Sequence, residues 1–331
     1  MPEVSESAKG GAGVPPRPAP EAFVAAARSL GLDALTVEVV RAFRAAGCRG
    51  ILLKGLAFRH HLYGDGSPRA YGDVDLLVAP AELARAGAAL ASLGFELGFD
   101  HVDHPGAAEP HAQEWGRPGG ARVVDLHWRI PGVEAPSERA WEALSARTEP
   151  IPVGGEPVES LREEGIALMA ALHAATHGRT HPKSVRDLER ALERLDGDTW
   201  ASAWRLATEL RATEAFVAGL RLVPAGERLA AELELPDVRS PRRILMAGDQ
   251  PAGSLGLLRI MQRAPARERL RALRYAVLPS PAYMRASSPL AARGRAGLAL
   301  AYLTRAVRRT VQLPAAIRAV RASRVSSDPP Q

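Results

Sequence analysis

Apolar and polar positions follow two regimes along the 331 residues. Up to about residue 150, short apolar runs bounded by glycine and proline alternate with brief helical stretches; from about Ser160 the spacing is helical almost without break. Pro20 and Glu21 open a helix carrying Phe23, Val24, Ala27 and Leu30, which Gly31 closes, and a second helix follows with Val37, Val40 and Phe43 before Gly47. Ile51-Leu52-Leu53 suits a buried strand, Gly55 a tight turn, and Leu56, Phe58, Leu62 and Tyr63 a short packed helix broken by Gly64–Pro68. Asp73–Val78 is a second strand, and Pro80 starts a helix with Leu83, Ala86 and Leu90 that stops at Gly94. Phe95–His101 reads as a strand. Ala112–Gly116 and Ala121–Trp128, joined through Pro118-Gly119-Gly120, read as a hairpin. Helical spacing then covers Leu161–Thr176, a segment from Pro182 or Ser184 through Leu192, and segments near 199–211, 214–222, 225–233, 253–275 and 289–311, with no solenoid period.

The expected fold class is therefore α+β. A mixed sheet flanked by helices occupies residues 20–150, an all-helical domain residues 151–322, and disordered tails residues 1–19 and 323–331. Composition changes little in this picture. No stretch reaches the apolar length of a membrane helix, and the Gly-, Pro- and Ser-rich start lacks the apolar segment of a signal peptide. Cys48 is the sole cysteine, which excludes an intrachain disulfide and a cysteine zinc site and leaves the cytoplasm as the default location. Charge adds an asymmetry. Residues 239–331 hold 18 arginines, no lysine and three acids, a net +15, so the rest of the chain carries −9. Arginines spread over amphipathic helices favour a solvated face over a nucleic-acid surface.

Candidate chemistry concentrates in residues 50–78 and one later strand. In Asp73-Val74-Asp75 the alternation of a strand sends both carboxylates to one face, and Asp125 is a third acid embedded in Val124-Asp125-Leu126. Like charges held together on an apolar strand point to a cation between them. Three carboxylates are what a site for two magnesium or manganese ions needs for phosphoryl transfer, with Asp125 serving the metal beside the nucleophile. Gly55 and the backbone after it offer an anion cradle, and Lys54 and Arg69 are cationic candidates for a triphosphate. The bland alternatives are an ion pair of Arg69 with Asp65 or Asp73, a surface role for Lys54, and core positions for His127 and Trp128. His173 and His177, i and i+4, suit packing or nucleotide contact, while Lys183 and Asp187 share the same spacing as a surface ion pair. His101, His104 and His111 match no zinc ligand spacing.

Gly55, Asp73-Val74-Asp75 and Asp125 together resemble the signature of the polymerase-β-like nucleotidyltransferase superfamily. More narrowly, Leu52-Leu53-Lys54-Gly55, Tyr63, Arg69, Gly72–Val78, Val124–Arg129 and the segment with His173, His177, Lys183 and Asp187 resemble the bacterial "uncharacterised nucleotidyltransferase" family over residues 35–200. Leu56 departs from the small or hydroxyl residue that many superfamily members carry after the glycine. The resemblance implies a nucleotidyltransferase-type sheet and transfer of a nucleoside monophosphate, AMP from ATP, to a hydroxyl with release of pyrophosphate. Asp73, Asp75 and Asp125 would be the catalytic and metal residues, and Lys54, Gly55, Arg69 and Lys183 the nucleotide contacts. Partners implied are a nucleoside triphosphate and a small-molecule, peptide or glycan acceptor, in natural-product or polysaccharide biosynthesis. The rivals are a toxin-like enzyme nucleotidylating tRNA or protein, and a non-catalytic nucleotide- or peptide-binding protein.

Overall fold

The computed structural model describes residues 20–64, 69–100, 111–118, 122–179, 181–237, 245, 251, 253–262 and 265–325. The expected tail at 1–19, residues 326–331 of the tail expected at 323–331, and the histidines His101 and His104 lie outside them, whereas Ser323–Val325 belong to the last helix. The chain begins with helix α1 (Pro20–Ala45), strand β1 (Ile51–Leu52), helix α2 (Leu56–Leu62) and strand β2 (Val74–Leu77). A single 3₁₀ turn then leads into α3 (Leu83–Ser92), followed by β3 (Glu96–Asp100), β4 (Ala112–Gly116), β5 (Arg122–His127) and α4 (Ser137–Ser145). The hairpin β6 (Thr148–Val153) and β7 (Glu156–Leu161) precedes the helices α5 (Glu163–His177), α6 (Pro182–Arg194), α7 (Gly197–Glu209), α8 (Thr213–Leu220) and α9 (Pro224–Glu232). The C-terminal set is α10 (Ser254–Gln262), α11 (Ala266–Val277), α12 (Pro281–Ser287) and α13 (Gly294–Val325).

Seven strands form one mixed sheet in the order β3-β4-β5-β2-β1-β7-β6. β2 and β5 run parallel at its centre, β1 is antiparallel to β2 and parallel to β7, and the outer pairs are antiparallel. This is the α+β architecture that the alternating runs and glycine turns imply. The hairpin β6–β7 carries the sheet to Leu161, past the expected edge near 150. Pro150, Pro152 and Pro157 mask it in the sequence, since proline cannot donate to a ladder. They are tolerated because β6 is the edge strand and β1, only two residues long, meets β7 at Ser160 and not at Pro157.

Two further differences concern helices. α1 is one continuous helix, and Gly31 lies inside it, where the cost relative to alanine is only about 1 kcal/mol. Burial of Leu32, Leu35, Val39, Val40 and Phe43 on the far side of that glycine outweighs it. The expected helix over 253–275 is divided into α10 and α11, with Pro265 capping the second. One large core joins the sheet to α1–α9, with Ile51, Leu52, Leu76, Leu126, Ile166, Leu172 and Phe216 fully enclosed. The C-terminal helices instead build two small cores, around Leu245, Leu258 and Val320 and around Met284, Ala291 and Ala301.

Candidate active site

The centre of the sheet sets the site. In the parallel pair β2–β5, Asp75 stands directly opposite Asp125, flanked by Val74↔Val124 and Leu76↔Leu126. The flanking apolar residues fill the opposite face and are essentially fully buried, which fixes the register, because a one-residue slip would drive carboxylates into that core. Asp125 and His127, two residues apart on β5, share a face with Asp75, and the donor atoms of Asp75, Asp125 and His127 all lie within 4.8 Å of one another. His127 Nε2 is 3.0 Å from Asp75 Oδ1, and Lys54 Nζ is 2.7 Å from the same oxygen. Lys54 reaches that point because it comes two residues after the end of β1 and the intervening Leu53 N–H donates to the Asp75 carbonyl.

The three acids respond differently. Burial pushes Asp75 upward, but the ammonium of Lys54 and the hydrogen bond from His127 outweigh it and hold the carboxyl far below its usual range. For Asp125 the balance falls the other way: burial, then the charges of Asp75, Asp73 and Glu114, outweigh the opposing Lys54 charge and push it up to about 7. Asp73, just before β2, is also raised by burial and by Asp75, with Lys54 and Lys183 opposing. It stands outside the trio whose donor atoms converge, yet near enough to act on Asp125. Burial lowers Lys54, but Asp75, Asp73 and Asp125 reverse this and keep it charged. Two carboxylates and an imidazole at such separations can hold a divalent cation, and oxygen donors favour magnesium or manganese. The cation would relieve the repulsion that now raises Asp125.

The remaining expected nucleotide contacts divide. Gly55 adopts φ 57°, and a Cβ there would meet the Asp73 carbonyl at 3.4 Å, so the turn strains any other residue. Asp65, one of the two acids weighed as a partner for Arg69, lies outside the described residues, and among the described residues the ion pair of Arg69 is with Asp187 and not Asp73. Its Nε and Nη2 each donate to Asp187 at 2.7 Å, and Nη1 donates to the Gly55 carbonyl at 2.6 Å. Tyr63 Oη donates to the same Asp187 carboxylate at 2.9 Å. Asp187 is therefore no surface partner of Lys183: it is 1% exposed and ties α6 to the glycine turn. Lys183, in the exposed first turn of α6, acts electrostatically on Asp73.

A row of imidazoles borders the site. His173 and His177 on α5 meet edge to face with ring centroids 4.7 Å apart, and His181 stacks on His177 at 4.5 Å. His181 also caps α6 by accepting from the Ser184 N–H. Burial, followed by the nearby Lys54 charge, pushes His173 down to about 2, and burial with His181 pushes His177 down to about 4, so both rings are neutral at physiological pH. His127 is the residue that the sequence weighs only as core or substrate-facing; its position two residues after Asp125 is the signal that it shares the acid face.

The family model described as "Uncharacterised nucleotidyltransferase" matches residues 11–225, and the chain belongs to that family of transferases. Among solved structures, the antibiotic-resistance factor ANT(2'')-Ia aligns at 16% identity over 58% of this chain and 96% of its own, with a TM-score of 0.40. A nucleotidyltransferase-like antigen from Paracoccidioides brasiliensis aligns at 16% identity over 62% of this chain and 92% of its own, with a TM-score of 0.39. No curated protein matches the chain. Among the described residues no helix is long and apolar enough to cross a membrane.

Proposed function

We propose that the chain moves a nucleoside monophosphate, AMP from ATP, onto a hydroxyl of a small-molecule, peptide or glycan acceptor. The observation that carries this reading is the parallel register that sets Asp75 beside Asp125 in a chain of this family. The residues that would hold magnesium or manganese are Asp75 and Asp125, with Asp73 and His127 beside them. Bound there, the metal supplies charge neutralisation for the triphosphate.

The residues of the chain do the rest. The acceptor oxygen bonds to the α-phosphorus, the bond from that phosphorus to the bridging oxygen breaks, and pyrophosphate leaves. Asp125, on the strand face beside the attacking hydroxyl, accepts its proton. Lys54 and Lys183 offer positive charge to the phosphates from two sides, and the backbone at Gly55 allows close approach. Arg69 works by holding the glycine turn in place, since its donors are engaged by Asp187 and the Gly55 carbonyl. The neutral histidine row forms the wall against which the nucleotide packs.

The test is magnesium-dependent pyrophosphate release from each nucleoside triphosphate across a panel of hydroxyl acceptors, beside manganese binding followed by electron paramagnetic resonance. Asp75→Asn is expected to lower turnover at least a thousandfold and manganese affinity at least tenfold while the circular dichroism spectrum is unchanged. Full turnover and full manganese affinity in that variant would overturn the assignment.

A further inference from the structure

A cavity lies in the C-terminal helices, lined by none of the residues of the transfer site. It has a volume of about 330 Å³ and opens between α10, α11 and α13, with walls from Leu257, Ile260, Leu273, Val277 and Leu313. That size falls at the lower end of small-molecule sites, about 300–1,000 Å³, which are likewise mostly apolar with a few polar groups that fix orientation.

Among its polar lining residues, which include Thr310 and Gln312, two are cationic. Arg305 and Arg309, one turn apart on α13, line the cavity. Arg305 donates from Nη2 to the Ala276 carbonyl at 3.0 Å and rests over the Tyr283 ring, while its Nε is enclosed with no acceptor. Arg309 makes no hydrogen bond or ion pair among the described residues, and its Nε is enclosed in the same way. Burial, and then the charges of Arg305 and Arg308, push the Arg309 guanidinium below its ordinary pKa. Between Gly253 and Val325 the sequence contains one acid, Glu268, so the local segment supplies almost nothing to neutralise this pair. An Nε–H enclosed with no acceptor costs free energy, and an anion entering the cavity recovers it through a charge-assisted bond while the rest of each half-buried guanidinium completes the fork.

We propose that this cavity binds an apolar molecule with an anionic head, the body lying among Leu257, Ile260 and Leu273 and the carboxylate or phosphate on Arg309 and Arg305. Charge selects this occupant. A second copy of the chain would bring another segment of net +15 against the first, and a nucleic acid would leave the apolar walls wet. The head could belong to a free amphiphile or to a lipid of an anionic bilayer.

Isothermal titration of the full chain with octyl phosphate, octanol and inorganic phosphate tests it. Octyl phosphate is expected to bind one to one, with octanol and inorganic phosphate each at least tenfold weaker. Arg309→Ala should weaken octyl phosphate at least tenfold. Gly256→Leu, at a cavity-lining position where a Cβ meets nothing within 4 Å, should abolish binding with the thermal transition unchanged. Equal affinity for octanol, or octyl phosphate binding that both folded variants retain, or no binding at all, would overturn the proposal. Sedimentation with phosphatidylglycerol vesicles separates the sources. Capture that octyl phosphate displaces assigns the head to a bilayer lipid, and octyl phosphate binding without capture assigns it to a free amphiphile.

Discussion

Two buried charge clusters stand a few residues apart at the centre of this protein, and they are built on opposite terms. Around Asp187, a carboxylate with 1% exposure receives two guanidinium donors and a phenol, and the third guanidinium nitrogen finds the Gly55 carbonyl. Around Asp75, three carboxylates meet one ammonium and one imidazole in direct contact, both on Asp75 itself, and Asp125 is left at about 7. Burying charge is costly in both places. The first cluster gives each guanidinium nitrogen and each carboxylate oxygen a partner and so reads as architecture. The second leaves like charges facing each other in a way that no folding requirement explains, and such unrelieved repulsion marks a place where something else binds.

The largest expected effect lies on the saturated side. Asp187→Ala strips the buried Arg69 of its counter-charge, and breaking such a pair costs about 3–5 kcal/mol. Chemical denaturation should show that loss, and added manganese should recover little of it. If the variant keeps wild-type stability, the two clusters do not differ in kind. On the other side, Lys54→Ala removes the ammonium 2.7 Å from Asp75, at a cost of about 2 kcal/mol in metal-free protein. Here manganese should restore stability, because a metal can take over the role of the cation. Thermal melts with and without manganese should show a larger metal-induced rise in Lys54→Ala than in wild type, and equal rises would contradict a metal at this position.

The Asp125 carboxyl gives the open cluster a pH signature of its own. Its value in the folded protein, about 7, is above its value in the unfolded chain, so the folded state binds the extra proton. Its contribution is fully present below about pH 4 and is lost as pH rises toward 7. Asp125→Asn removes that dependence. The stability of the variant minus that of wild type, in metal-free buffer, should therefore grow between pH 4 and 7, by about 1–2 kcal/mol after solvent screening. A difference that is flat with pH would mean that the three carboxylates do not repel one another in solution.

How much of this contrast is legible in the sequence depends on distance along the chain. The acid pair Asp73 and Asp75 is visible because strand alternation is local, and the β4–β5 hairpin is visible because Pro118-Gly119-Gly120 punctuates it. That Asp125 falls opposite Asp75 is a matter of parallel register, which no local pattern encodes. His127 was within reach of the same alternation argument. The brace was not, since Arg69 and Asp187 are 118 residues apart and the nearer acids Asp65 and Asp73 are the natural guesses. The same limit explains the sheet edge: β6 and β7 carry three prolines and read as loop until β1 is there to receive Ser160.

Tyr63 offers the smallest effect and the finest division between the clusters. Its hydroxyl donates to Asp187 at 2.9 Å; burial first, and then the Asp187 charge, raise its pKa, so it stays protonated as a donor. Tyr63→Phe keeps the ring packed beside Arg69 and removes one of several donors to a carboxylate that keeps its guanidinium, so the expected loss is about 1 kcal/mol. Pyrophosphate-release kinetics on the same variant then decide what the brace does. If Arg69 only supports the fold, kcat should be unchanged at temperatures well below the transition. A fall in kcat at unchanged KM would instead show that the tension between Asp187 and the Gly55 carbonyl sets the aim of the glycine turn at the nucleotide, and the separation between an architectural cluster and a working one would then give way to a single coupled unit.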